Sequence, residues 1–104
     1  MAGRLSIAAA LWFPAVALAH GSADWIMAEP RYRDAAGIHC CGPQDCAVAP
    51  PGTVVQTLDG WRVNATGRLF RDGDRDLYDS IDGQIWLCHR DGRDRCLFVP
   101  VAGS

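Results

Sequence analysis

Apolar and polar positions alternate most clearly beyond Pro51. A two-residue turn at Asp59-Gly60 pairs Leu58 with Trp61, Gln56 with Val63 and Val54 with Ala65. That face is apolar except for Gln56, while Val55, Thr57, Arg62 and Asn64 take the other, which predicts a half-buried antiparallel hairpin. Asp-Gly recurs at Asp72-Gly73, Asp82-Gly83 and Asp91-Gly92, each a hairpin-turn signal. The last pair of segments, Gln84–His89 and Arg95–Val101, is apolar on both faces, as central strands are. Its register is open. A two-residue turn at Asp91-Gly92 sets Cys88 opposite Arg95, whereas a loop from Arg90 to Asp94 sets it opposite Cys96. Only the second allows a cross-strand bridge, because disulfide Cα atoms lie within about 7 Å.

Upstream, Ser22 can cap a short helix whose apolar side is Trp25, Ile26 and Met27 and which Pro30 ends. Residues 37–51 combine cysteines, prolines and glycines, the composition of a loop tied down by sulfur. The expectation is an α+β domain. It has a short N-terminal helix and linker over residues 20–36, a Cys-rich loop over 37–51, and an antiparallel sheet of four or five strands over 52–104.

The apolar run from Leu5 to Leu18 follows a short basic start and ends in Ala17-Leu18-Ala19. These are the three parts of a secretory signal, with cleavage expected after Ala19. Interrupted by Pro14, the run is shorter than the ~20 residues that span a bilayer. The single domain would then be residues 20–104, with no membrane attachment after cleavage. The chain is 104 residues long with a formal charge of −2, and all ten basic residues are arginine. That length leaves no room for a second, cofactor-binding half. A mildly acidic chain without a basic run lacks the electrostatic footprint of a nucleic-acid or anionic-membrane binder.

Export decides how the cysteines read. Cys40, Cys41, Cys46, Cys88 and Cys96 all follow the signal segment, and in an oxidising compartment so small a chain reads as a disulfide framework. Five cysteines leave one odd, and the sequence does not select the pairing. A bridge from the Cys40–Cys46 loop to Cys88 or Cys96 would close about fifty residues and stabilise by roughly 4 kcal/mol, against about 2.5 kcal/mol for a Cys88–Cys96 closure. At least one bridge from the loop to the last hairpin is therefore expected.

His39-Cys40-Cys41-Gly42-Pro43-Gln44-Asp45-Cys46 resembles the Cys-Cys-x4-Cys segment of small secreted bacterial proteins of uncharacterised function. Ser80-Ile81-Asp82-Gly83 leading to Cys88, the ending Cys96-Leu97-Phe98-Val99-Pro100, and a start of His20 followed closely by Trp25 are similar too. The resemblance covers most of residues 20–104. It implies a common domain and carries no activity.

Chemistry has few footholds. Cys41-Gly-Pro-Gln-Asp-Cys46 shares Cys-Gly-Pro with thioredoxin-like proteins, but four residues separate its cysteines where thiol–disulfide catalysis needs two at a helix start. Copper or zinc could be held by His39, His89, Cys40, Cys41, Cys46 and Cys88 gathered by folding, or by the amine and imidazole of a new N-terminus at His20. Oxidation competes for the same sulfurs. Asp72, Asp74 and Asp76 alternate like the start of a calcium loop, but Leu77 stands where the required glycine would be, and local Arg–Asp pairs are the simpler reading. Asn64-Ala65-Thr66 fits the glycosylation pattern but falls in an expected strand. Trp25, Trp61 and Trp86 read as core. The expectation is a non-enzymatic, secreted or periplasmic accessory or interaction domain with an unidentified protein partner and no cofactor. The alternatives are a periplasmic copper- or zinc-binding protein and, with no distinguishing residue, a secreted inhibitor or toxin.

Overall fold

The computed structural model describes residues 23–40 and 45–101. The expected signal segment with its cleavage point, His20, Ser22 and Cys41 lie outside the described residues.

The expected N-terminal helix is not an element of the architecture. One helical turn, α1 (Asp24–Met27), stands in its place, with Ala23 at the cap position and no capping side-chain bond. A segment this short has too few internal hydrogen bonds to hold itself. It is fixed by packing, because Ile26 is fully buried and Trp25 meets Tyr32, Trp86 and Phe98 edge-on at centroid distances of 5.7, 6.4 and 5.3 Å. The class is mostly β, not α+β.

The strands are β1 (Cys46–Val48), β2 (Val54–Thr57), β3 (Gly60–Val63), β4 (Leu69–Arg71), β5 (Leu77–Asp79), β6 (Trp86–Arg90) and β7 (Arg93–Val99). They form two sheets where one was expected, ordered β1-β6-β7-β5 and β2-β3-β4. The pairing of β5 with β7 is parallel, a second departure from the expected antiparallel sheet. Both departures have one cause. Asp-Gly marks a chain reversal without choosing the next partner: the chain leaves β4 at Asp72-Gly73 for the other sheet, and after Asp82-Gly83 β7 comes to lie between β5 and β6.

The β2–β3 hairpin forms with Val54 opposite Val63, Gln56 opposite Trp61 and Thr57 opposite Gly60. The turn is therefore Leu58-Asp59, and Leu58 is wholly exposed. The shift from the expected register is two residues, so the face assignment survives. Gly60 is a strand residue with φ 150°, and a Cβ there would run into the Phe70 carbonyl oxygen and come within 2.8 Å of Arg71 Cα. Its role is close approach of β3 to β4 rather than turning. Gly60→Ala should therefore cost about 2 kcal/mol in urea unfolding by forcing β4 outward; a change below about 0.5 kcal/mol would show that the two strands are not held this tightly.

Period-two alternation in β6 and β7 divides the interior. Trp86, Cys88, Cys96 and Phe98 face a layer with Ile26, Tyr32 and Cys40. Leu87, Leu97 and Val99 face the second sheet, meeting Val54, Val63 and Phe70.

Candidate functional site

The Asp91-Gly92 turn has positive φ at both residues, 56° and 74°, as a two-residue type I′ hairpin requires. It sets His89 opposite Asp94, after which a β-bulge leaves Arg95 unmatched and brings Cys88 opposite Cys96. Both expected registers are thus realised in part. Although Cys88 and Cys96 are cross-strand neighbours, each bonds elsewhere. Cys40 joins Cys96, with Cα atoms 5.6 Å apart, and Cys46 joins Cys88 across β1 and β6, with Cα atoms 4.0 Å apart. The expected bridge from the Cys-rich loop to the last hairpin is present twice. Cys40, Cys88 and Cys96 are fully buried, so sulfur forms part of the first core layer. Two buried disulfides suit an oxidising compartment.

The bulge also organises a polar cluster. Asp94, whose side chain is 2% exposed, takes His89 Nδ1 on one carboxylate oxygen at 2.7 Å and the Thr66 hydroxyl on the other. Arg68 donates to the Asp94 carbonyl at 2.7 Å and to the buried Asp76 carboxylate at 2.7 Å, with its guanidinium 4.1 Å from the Phe70 ring centroid. Arg95, aimed by the bulge, donates to Asp34 at 3.1 Å. Thr66, Arg68, Asp76, Asp94, Arg95 and Asp34 line a depression of about 420 Å³ in which Asp76 and Asp34 are paired with arginines.

A second hollow of about 440 Å³ opens between the sheets. Ala47, Ala49, Val54, Val63 and Leu87 supply much of its apolar wall, and His89 and Asp45 add polarity. It exists because alanines occupy the part of the inter-sheet layer that Phe70 and Leu97 fill elsewhere.

Two carboxyls sit below the ordinary aspartate range. Burial pushes Asp82 up, but bonds from the Ser80 hydroxyl, the Gln84 backbone and the Trp86 indole more than offset it. Burial likewise raises Asp34, and bonds from the Ile38 and Ala36 amides and from Arg95 outweigh it. Lowered folded values mean stability that is complete above the unfolded pKa near 4 and is lost as pH falls through the folded values. The urea midpoint should therefore hold between pH 7 and 5 and drop below pH 4, with a smaller drop in Asp82→Asn; a midpoint unchanged down to pH 2 would contradict the assignment.

The residues proposed for metal are distributed as follows. The sulfurs of Cys40, Cys46 and Cys88 are in bridges, His39 Nε2 lies 2.9 Å from the Glu29 carbonyl, and His89 Nδ1 is on Asp94. Among the described residues no group of three His, Cys, Asp or Glu side chains is placed to hold a metal ion. The acidic run is divided: Asp74 accepts the Arg71 amide at 2.8 Å, and Asp76 turns inward to Arg68 rather than to a neighbouring arginine. Asn64 stands in an exposed turn after β3 and not in a strand, its amide donating to the Gly52 carbonyl at 2.8 Å. Trp25, Trp61 and Trp86 all join the core layers. The sequence reading assigns Arg68 and Asp94 no role and places Asp76 and Thr66 in other patterns; no local signal marks them, since Asp94 sits between Arg93 and Arg95 at the charged start of β7.

No helix among the described residues is long and apolar enough to cross a membrane. Comparison with protein-family models, with curated proteins and with solved structures finds no match to this chain.

Proposed function

We propose that the chain is an exported, non-enzymatic accessory or interaction domain working in an oxidising compartment, the periplasm if the cell is bacterial. The observation that carries this reading is the pair of disulfides tying the Cys-rich loop to both strands of the last hairpin, with three of the four cysteines fully buried. Such bridges form and persist in oxidising compartments and are rare in the cytosol. The polar cluster supports the same reading, because Arg68 pairs with Asp76 and holds the Asp94 carbonyl while Arg95 pairs with Asp34, contacts that brace the frame. The surface that this frame offers is the open apolar hollow between its sheets. The resemblance to small secreted bacterial proteins and the signal-like start at residues 1–19 point the same way.

A native mass spectrum of the protein recovered from the export compartment tests the proposal. The expected species begins at His20, carries two disulfides and one thiol equivalent, and has no metal. An uncleaved chain with three or more thiols would overturn the reading. So would stoichiometric copper or zinc, which would put a metal-binding protein using His20 or the Cys/His cluster in its place.

A further inference from the structure

We infer that the hollow between the sheets binds a small, neutral, largely apolar molecule carrying a hydroxyl or N–H donor, received by His89 Nε2. The inference rests on reading the domain as a binding module. The hollow measures about 440 Å³, within the roughly 300–1,000 Å³ of small-molecule sites, and has their make-up of apolar walls with few polar groups. Its walls are the odd-numbered face of β1 and β6 on one side and Val54 and Val63 of the second sheet on the other.

His89 gives the hollow its polarity. The ring is half exposed, while the Asp94 carboxylate behind it is buried and fixed by the Thr66 hydroxyl. A carboxylate accepts, so Nδ1 carries the donated proton, and in the neutral ring Nε2 is left as an acceptor. An acceptor selects a ligand with a proton to donate. Charge disfavours an anion, because Asp45, paired with Arg90 at 3.4 Å, lines the hollow, Asp94 lies behind His89 and no arginine lines the wall among the described residues; a cation would have to give up its hydration against walls that are mostly apolar. An incoming carboxylate would face two acids. Size favours a small molecule over an added peptide strand. The strand β1 has three residues, and the Asp45 carbonyl and Ala49 amide at its ends already bond to the β6 side, at 2.8 Å each. That leaves little backbone for pairing.

Titration of the disulfide-bonded protein with p-cresol at pH 7.5, followed by methyl and histidine-ring NMR, tests this. Saturable shifts are expected at Val54, Val63, Leu87 and His89 Nε2. The ether 4-methylanisole, which lacks the donor, should bind about fivefold more weakly, the worth of one hydrogen bond. Hexanoate should bind more weakly still. His89→Ala should equalise p-cresol and its ether, and Ala65→Phe, a change at an exposed position on the hollow's rim, should abolish both. Absence of saturable shifts, equal binding of p-cresol and its ether to the unaltered chain, or a preference for hexanoate would overturn the inference. Any of these, with the mass result above as expected, removes the ligand and leaves the domain reading; a reduced or metal-loaded mass result removes that reading whatever p-cresol does.

Discussion

Removing either disulfide as a pair, Cys46→Ala with Cys88→Ala or Cys40→Ala with Cys96→Ala, should lower the unfolding free energy by about 3 kcal/mol and the Tm by roughly 15 °C. The estimate comes from loop closure in the unfolded chain. Taken alone, the bridges span separations of 42 and 56 residues, each worth about 4 kcal/mol. They are nested, however. With one closed, the path between the ends of the other shortens to about fifteen residues, which is worth about 3 kcal/mol. Burial then ranks the two. Both members of Cys40–Cys96 are fully buried, whereas in the other pair only Cys88 is and Cys46 is half-buried, so loss of the Cys40–Cys96 pair leaves the larger cavity and should cost more. Equilibrium urea unfolding of the two double variants checks both size and order. A loss below 1 kcal/mol for either would mean that the hydrophobic layers carry the fold without the sulfur.

Arg68→Ala should cost about 3 kcal/mol in the same measurement. Its guanidinium pairs with Asp76, whose carboxylate is 4% exposed, and it also holds the Asp94 carbonyl and covers Phe70. Truncation leaves a buried charge without compensation, which is costlier than the pair itself is stabilising. The side chain of Arg68 is 37% exposed, so water entering the gap limits the loss to the lower end of the usual 3–5 kcal/mol. The double variant Arg68→Met with Asp76→Leu should recover most of it, because both charges are then gone. If the double variant is as unstable as Arg68→Ala, the lost bond to the Asp94 carbonyl rather than the ion pair accounts for the effect.

Local pattern made part of this fold legible and long-range pairing hid the rest. The faces of the β2–β3 hairpin followed from alternation, and a two-residue error in register left them intact because side chains repeat every two residues. The bridges from the loop to the last hairpin followed from loop-closure energetics. Their pairing did not, since it depends on a bulge at Arg95 that no local preference announces. The second sheet and the parallel β5–β7 pair were hidden for a similar reason: Asp82-Gly83 reverses the chain, but Tyr78, whose hydroxyl bonds the Arg33 carbonyl at 2.6 Å, and the ring of Phe98 help place β5 beside β7. The helix failed because three consecutive apolar residues with Pro30 close behind specify one buried turn and no more. Within the candidate site, His89 was legible as chemistry and Asp94 lies five residues on across the hairpin, whereas Thr66 and Arg68 reach Asp94 only through contacts 28 and 26 residues apart in sequence.

The central claim is that sulfur supplies the stability that so small an interior lacks. Circular dichroism and thermal unfolding of the unaltered protein, before and after complete reduction with blocked thiols, test it most directly. The two nested bridges are together worth about 7 kcal/mol, comparable with the whole stability of a small domain. The reduced chain should therefore lose its cooperative transition at 25 °C, while the oxidised chain melts sharply. A reduced chain that keeps its β spectrum and its melting point would contradict the account.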